Sequence, residues 1–276
     1  MYLRSIHADA DATALRQLIH DNPLGIFTTA IASDSFPLIQ CSHIPFVLDD
    51  PNEISGAEKG VLRGHMARAN PHSKALIEAA QAKAAADGSW DGYLEQEVMV
   101  LFNLPAHHYV TPKFYTETKP DTGKVVPTWN YAAAQVYGRI RVFHDSKSEE
   151  AGSYLARQIS DLTDLSESSI MGYTGKGAAQ TGWKVADAPD SYITLLKKAI
   201  IGIEIKIERL EGKFKMSQET SDGDVAGVIS GFKNLGTDLG NTMAETVAER
   251  SALKKSKKGS CQGQRITVSR EQAMDW

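Results

Sequence analysis

The sequence predicts a mostly β protein of the α+β class, with an antiparallel barrel of strands and helices at its periphery. Residues 135–143 and 199–207 alternate polar and apolar side chains, which is typical of half-buried strands. Strand-like segments dominate the first two thirds of the chain, and helix-like segments such as residues 73–87 lie between them.

Composition indicates a soluble globular protein. The chain has 276 residues, a net charge of −4 and two cysteines. The acidic balance argues against a whole-surface nucleic-acid binder and leaves DNA binding only as a local alternative. Cys41 and Cys261 match no metal-binding spacing and favour a reducing compartment. No secretory leader or membrane-spanning run is evident, so we expect a cytoplasmic protein, with the basic run Lys254–Lys258 as a nuclear-targeting alternative.

The N-terminal part of the chain contains predicted elements separated by clear turn signals. An apolar stripe over residues 9–21 predicts a helix, which Asn22-Pro23 ends. Pro71 and Gly88 bound a second, alanine-rich helix over residues 73–87. Pro45 places the end of the strand predicted over residues 38–46 at a sheet edge. The strand predicted over residues 97–103 is nearly continuously apolar, which predicts burial on both faces. The predicted strands cover residues 24–32, 38–46, 61–66 and 97–103.

The C-terminal part is predicted to be richer in helix. Residues 172–182 are rich in glycine and predict a loop, and Gly212 predicts a turn after the strand at 199–207. The basic run from Lys254 predicts a solvated, mobile segment. Helices are predicted over residues 148–165, 191–198 and 225–232, and a further apolar stripe consists of Leu235, Leu239, Met243 and Val247.

Residues 125–131 (VVPTWNY) form the entrance of a predicted strand and carry two aromatic side chains. A rigid proline followed by Trp129 and Tyr131 suits a flat planar ligand, since aromatic rings offer a large contact area at a small entropy cost. The alternative is an ordinary strand start with two core aromatics.

Arg68 and Asn70 lie where a predicted strand gives way to the start of a helix. An arginine fork together with free backbone N–H groups is typical of an anion site. The alternative is an arginine on a solvated loop. Lys213 and Lys215 alternate and share one strand face, which by itself indicates a surface strand.

These stretches together resemble the PaiB-type FMN-binding proteins, a bacterial family described as negative transcriptional regulators. The resemblance covers residues 1–220. It rests on several motifs in the expected order: His43–Phe46, Leu62–Pro71, Tyr109–Tyr115, Val126–Tyr131 and Lys215–Gln218.

The resemblance implies a split β-barrel that forms a homodimer and holds FMN at the subunit interface, as in pyridoxamine-phosphate-oxidase-like flavoproteins. It implies that Arg68 binds the FMN phosphate, with His65 and Asn70 close by. The other residues implied in cofactor binding are His43, Tyr109, Tyr115, Thr128, Trp129, Asn130, Tyr131, Lys215 and Gln218.

The same resemblance divides the chain into three expected parts. Residues 1–220 would form the FMN-binding split-barrel domain with inserted helices. Residues 221–253 would form a helical extension that packs on the barrel or on the partner subunit, and residues 254–276 a basic flexible tail.

Departures from the family pattern fall on the substrate side of the implied pocket. His72-Ser73-Lys74 follows Pro71 where the family has a tryptophan, and the helix from Ser73 is lengthened. Glu219 stands where an asparagine often follows the Ser-Gln pair.

No metal site is predicted. The adjacent His107 and His108 would point to opposite faces of a strand, and no cysteine or carboxylate accompanies them at zinc spacing. Related split barrels bind haem at the same interface, so haem is the alternative cofactor. Its axial ligand would be one of His43, His65, His107 and His108.

We expect an FMN-binding split-barrel protein, acting as a flavin-dependent oxidoreductase on a small molecule, with its catalytic residues unassigned. The first alternative is a PaiB-like transcriptional or metabolic regulator, although the sequence shows no helix-turn-helix pattern. The second is a haem-binding or haem-degrading protein on the same barrel.

Overall fold

The structure is a computed structural model that describes residues 1–51, 59–88 and 90–271. Its helices are α1 (Ala12–Asp21), α2 (Pro71–Ala86), α3 (Thr118–Thr122), α4 (Glu149–Leu165), α5 (Asp190–Lys198), α6 (Asp222–Lys233) and α7 (Asp238–Glu271). Its strands are β1 (Ala8–Asp9), β2 (Leu24–Ala30), β3 (Ile39–Pro45), β4 (Val47–Asp49), β5 (Val61–Ala67), β6 (Tyr93–Asn103), β7 (His108–Val110), β8 (Thr128–Phe143) and β9 (Ile200–Lys215).

The strands form one antiparallel split-barrel sheet, which confirms the predicted fold class. Seven of the nine strands follow the order β3-β2-β6-β8-β9-β5-β4, with β1 paired to β9 and β7 paired to β8. The described path ends at β3 and β4, so the sheet is not closed into a full barrel. β3 is therefore an edge strand, as Pro45 predicts.

The chain divides into two compact units. The first unit comprises residues 1–9, 104–133 and the chain from residue 212 onward, and the second comprises residues 10–103 and 134–211. In the second unit β5 pairs with β9 from Val61↔Lys206 to Ala67↔Ile200, and Phe27, Leu62 and Ile203 are fully buried. In the first unit the buried side chains of α6 and α7 include Val228, Phe232, Met243 and Val247.

The predicted turn at Gly212 is wrong. Strand β9 continues through this residue to Lys215, because β1 pairs with it at Asp9↔Gly212 and Ala8↔Lys213. The backbone of Gly212 is thus paired with a neighbouring strand, and the chain stays extended at this glycine.

A further expectation differs from the structure. Strand β6 begins at Tyr93, and Met99 and Leu101 on it are only half-buried, so the strand is not covered fully on both faces. The basic run from Lys254 lies within α7, which is helical as far as Glu271. Lysine is a good helix former, and the mobility of this run stays a prediction.

Residues 166–199 of the second unit, here called the arm, contain no buried residue. Internal hydrogen bonds nevertheless organise the arm: Tyr173 N donates to Glu167 O at 2.8 Å, and Trp183 N donates to Glu167 Oε2 at 3.0 Å. Six of its large apolar side chains are 44–64% exposed; they are Ile170, Met171, Trp183, Tyr192, Leu195 and Leu196.

A buried ion cluster joins β4, β5 and α4 in the second unit. Arg63 donates to both carboxylate oxygens of Asp49, at 2.6 and 2.7 Å, and both residues are less than 5% exposed. From α4, Asp161 accepts from Arg63 Nη2 at 2.7 Å, while Gln158 contacts both the side chain and the main-chain oxygen of Arg63. Two carboxylates and one amide thus satisfy a fully buried guanidinium.

Replacing Arg63 by methionine should destabilise the protein by about 3–5 kcal/mol, because the buried carboxylate of Asp49 loses its main counter-charge. Arg139→Met is the matched control, since Arg139 pairs with Glu208 in a half-exposed setting. That change should cost about 1 kcal/mol or less. Denaturant unfolding of both variants measures the difference, and equal losses would contradict the role assigned to Arg63.

Candidate functional site

The predicted cofactor residues fall into two groups, one in each unit. His43, His65, Arg68 and Asn70 lie in the second unit. The first unit contains Tyr109, Tyr115, Thr128, Trp129, Asn130, Tyr131, Lys215 and Gln218.

Arg68 follows β5 and is held by main-chain oxygens. Its Nε donates to Lys198 O at 3.2 Å, and its Nη2 donates to His144 O at 2.6 Å and to Ile200 O at 3.3 Å. These bonds use Nε and Nη2 and fix the plane of the guanidinium, while Nη1 takes no part in them.

Arg68 lines a cavity of about 140 Å³ that is rich in cationic residues. Lys197 and Lys198, in the last turn of α5, line the same cavity. Asp145 is the acidic residue of the lining, so three cations face one carboxylate. This arrangement is suited to binding a dianion such as a phosphate monoester.

Asn70 caps helix α2 and belongs to a buried polar network. Its Oδ1 accepts from His72 N at 3.0 Å, and its Nδ2 lies 3.4 Å from Ser42 Oγ. The ring of His72 is bonded on both nitrogens, to Ser42 Oγ at 3.0 Å and to Thr29 Oγ1 at 2.9 Å. The same ring stacks on Phe27 with centroids 4.7 Å apart.

Burial lowers the pKa of His72 to about 4, so the imidazole is neutral near pH 7. A neutral ring is one donor and one acceptor, which matches two hydroxyl partners. Asn70 and His72 therefore act together to fix the start of α2.

The two predicted histidines of this unit differ in environment. His65 is half-buried on β5, its Nδ1 is buried and finds no hydrogen-bond partner among the described residues, and burial lowers its pKa. His43 is exposed on the edge strand β3.

In the first unit Lys215 joins the end of β9 to the start of β8. Its ammonium group donates to Thr128 Oγ1 and, at 2.9 Å, to Trp129 O. Asn130 is fully buried and exchanges two hydrogen bonds with Ser217, at 3.0 and 3.2 Å between the amide and the hydroxyl. The structure thus brings the Trp129 motif and the Lys215 motif together.

Ser217 has a φ of 61°, the left-handed region that only glycine adopts freely. The hydrogen bonds to Asn130 hold this conformation in a residue that is 1% exposed. Non-glycine residues in this region are concentrated at ligand sites and switches, where the surrounding structure fixes them.

Trp129 and Tyr109 form an exposed aromatic surface on paired strands β8 and β7. Their residues are register partners, and the rings lie 6.1 Å apart at 68°. The indole is 55% exposed and the phenol 41%. Tyr131, two residues along β8, is covered instead by Lys213, whose Nζ lies 5.2 Å from the ring centroid.

Gln218 is used structurally, whereas Glu219 forms an ion pair. The side chain of Gln218 bonds Phe214 O and Met216 N, both at 2.6 Å. Glu219 Oε2 lies 2.9 Å from His7 Nε2, and Oε1 lies 3.6 Å from Lys215 Nζ. Burial alone would raise the pKa of Glu219, but the bond from His7 and the charge of Lys215 lower it, so the group is ionised.

Tyr115 is buried and keeps its proton. Burial raises the pKa of its phenol, and the negative charges of Glu219 and Asp224 raise it further. Its hydroxyl is therefore available as a neutral donor.

Sequence reasoning did not identify several residues of these clusters. His72 departs from the family pattern, and local sequence patterns assign no role to Lys197 or His7, while Ser217 lies in the Lys215–Gln218 motif without a role of its own. His7 pairs with Glu219 at a sequence separation of 212 positions, and Ser217 pairs with Asn130 at a separation of 87 positions. No local sequence pattern reveals contacts at such separations.

The described residues show neither a metal cluster nor a membrane-spanning helix. No group of three or more His, Cys, Asp or Glu side chains among them lies close enough to hold a metal ion. No helix in that part of the chain is long and apolar enough to cross a membrane.

Comparison with known proteins identifies relatives along most of the chain. The family model described as "Putative FMN-binding domain" matches residues 1–209. An uncharacterised protein of Emericella nidulans is 63% identical over 239 residues, which cover 86% of this chain and 92% of that protein. A protein of Aspergillus fumigatus is 57% identical, covering 86% and 93%. Protease synthase and sporulation protein PAI 2 of Bacillus subtilis is 23% identical, covering 85% and 90%.

Replacing His72 by glutamine should flatten the dependence of stability on pH between about 4 and 6.5. In this window the imidazole of His72 is protonated in the unfolded chain but stays neutral in the folded protein, so the stability of the wild type falls as the pH falls. The pKa difference corresponds to about 3 kcal/mol at most, and the variant should lose that component.

Denaturant unfolding of the two proteins at several pH values measures this effect. His43→Gln is the matched control, because His43 is exposed on β3, and its pH profile should follow the wild type. Parallel profiles for wild type and His72→Gln would show that His72 does not titrate as its burial requires.

Proposed function

The chain belongs to the family of FMN-binding domains, and from this we propose that it binds FMN and acts as a flavin-dependent oxidoreductase on a small molecule. The family match and the PAI 2 relative confirm the PaiB-type resemblance of the sequence. The cation-rich cavity of Arg68 is the observation that carries the proposal for this chain.

The phosphate of FMN is a dianion, and the Arg68 cavity supplies the complementary charge. Arg68, Lys197 and Lys198 face Asp145, which leaves two positive charges in excess. The main-chain oxygens that hold Arg68 orient its guanidinium before any ligand binds, so that little entropy is lost on binding. We propose that Nη1 of Arg68 and the two lysines bind the phosphate.

The aromatic surface of Trp129 and Tyr109 is a separate candidate for contact with a planar ring. An exposed indole offers a large flat area, and Lys215 supplies a positive charge where its amine meets Trp129 O. Thr128, Asn130 and Tyr131 would support this surface through the packing of β8. We propose it as a flavin contact that is tested independently of Arg68.

A bound flavin would supply hydride or electron transfer, and the protein would orient and shield it. The chain's own residues offer neutral donors, such as Tyr115, and fixed positive charges, such as Lys215. Positive charge near a flavin stabilises its reduced, anionic form.

Replacing Arg68 by alanine should weaken FMN binding by about tenfold or more, since a charge-assisted contact with the phosphate is lost. Riboflavin lacks the phosphate, so its affinity should not change. Flavin fluorescence titration of the purified protein measures both. Arg139→Ala is the control for loss of a half-exposed arginine.

Several results would contradict this placement. Equal losses for FMN and riboflavin would mean that Arg68 acts on the fold, and Lys198→Met then provides a test that leaves the Arg68 bonds to main-chain oxygens in place. Loss of both flavins in Trp129→Ala alone would place the ligand on the aromatic surface. A protein that binds no flavin, or whose spectrum shows a haem Soret band, would overturn the proposed cofactor.

We also propose that the protein is a homodimer and that the arm contributes to the interface. The arm exposes six large apolar side chains and buries none of its residues, a pattern typical of a surface that is covered in an assembly. It carries acidic Glu167 and Asp190 as well as basic Lys176 and Lys184, and mixed charge allows a surface to face its own copy.

Leu195→Glu should convert the dimer to a monomer, because it places a charge among the apolar side chains that the interface would bury. Leucine 195 is 64% exposed, so the change should leave the monomer fold intact. Light scattering after size exclusion measures the mass. Leu38→Glu, at a leucine that is 56% exposed and lies outside the arm, is the control and should remain a dimer. If Leu195→Glu also remains a dimer, the arm is excluded from the interface.

A further inference from the structure

The first unit contains a cavity of about 540 Å³, here called the α7 cavity, most of whose lining residues lie outside the part of the chain matched by the family model. Its walls are the N-terminal residues 5–9, the turn after β9 and one face of α7. Phe214, Gln218, Glu219, Arg250, Leu253 and Lys254 lie beyond residue 209, where the match to the FMN-binding family ends. We propose that the α7 cavity binds a small organic carboxylate with an apolar body.

Two cations on one face of α7 supply the anion-binding groups. Arg250 and Lys254 are four residues apart, so their side chains are neighbours on the helix. Like charges at this spacing repel, and the repulsion is relieved when an anion lies between them.

Both cations retain donors for a ligand. Arg250 Nη1 bonds Asp9 Oδ2 at 2.5 Å, whereas its Nε is buried and has no partner among the described residues. Lys254 Nζ donates to Gln218 O at 2.6 Å, a neutral acceptor, and an ammonium group has three donors. A carboxylate has two oxygens and can accept from both groups.

Among the described charged residues around the α7 cavity, one positive charge, that of Lys254, has no carboxylate partner. Asp9 pairs with Arg250, and Glu219 pairs with His7 and Lys215. Lys254 is left with a carbonyl oxygen as its only partner among the described residues. A monoanion such as a carboxylate balances this charge without displacing an existing ion pair.

The remaining lining favours a ligand with an apolar body. Ile6, Ala8, Phe214 and Leu253 provide apolar surface, and the guanidinium carbon of Arg250 lies 3.3 Å from the Phe214 ring centroid, which holds the cation in place. The volume lies within the range of about 300–1,000 Å³ typical of small-molecule sites. A carboxylate on a small apolar or aromatic group matches both the charge and the surface.

Benzoate and benzamide test the charge requirement on the unmodified protein, used as purified with any bound flavin. Calorimetric titration should show saturable binding of benzoate and binding of benzamide weaker by about tenfold or more, since the neutral amide forfeits the charge-assisted bonds. Equal binding, or no saturable binding of benzoate, would overturn the proposal. Inorganic phosphate that competes as well as benzoate does would overturn the carboxylate class.

Lys254→Met locates the site. It should weaken benzoate binding by about tenfold or more, whereas Lys255→Met should leave it unchanged. Lys255 is the matched control, because it is 59% exposed and pairs with Asp222 outside the cavity. Equal effects would overturn the location. If circular dichroism shows that Lys254→Met does not fold, Lys254→Gln is used in its place. Release of bound flavin on addition of benzoate would overturn the proposal and assign the α7 cavity to the flavin.

Discussion

The buried guanidinium of Arg63 is the constraint on which the second unit depends. A charge that is 3% exposed is stable only where its partners are fixed, and these come from β4 and from α4. The cluster therefore locks β5 against the helix. β5 in turn carries His65 and leads directly to Arg68 and Asn70, so the ion cluster fixes the strand from which Arg68 enters its cavity, although Arg63 and Asp49 do not line that cavity.

A second polar network fixes the start of α2. His72 is neutral, bonded on both nitrogens and stacked on Phe27. Its hydrogen-bond partners are the hydroxyl groups of Thr29 and Ser42. Such bonds have narrow geometric requirements, so this network defines the orientation of the Asn70 cap more strictly than apolar contact would.

The sequence predicted the parts of the fold that depend on neighbouring residues. Alternation identified β8 and β9, and the Asn70-Pro71 pair marked the start of α2, because these signals are local. Gly212 was misread because its strand partner, Asp9, is distant in sequence. The site was predictable only as motifs: Lys215 and Trp129 were named separately, and their hydrogen bond, like the ion pair of His7 with Glu219, depends on tertiary structure.

The turn after β9 links the first unit's two functional candidates through the backbone of one residue. Ser217 is held at a φ of 61° by Asn130, which follows Trp129 on β8. Its conformation sets the direction of the next residues, so that Gln218 O meets Lys254 and Glu219 meets His7. Strain at Ser217 is sustained only while Asn130 holds it. Asn130, the neighbour of Trp129 on β8, is therefore bonded to the turn whose next two residues line the α7 cavity.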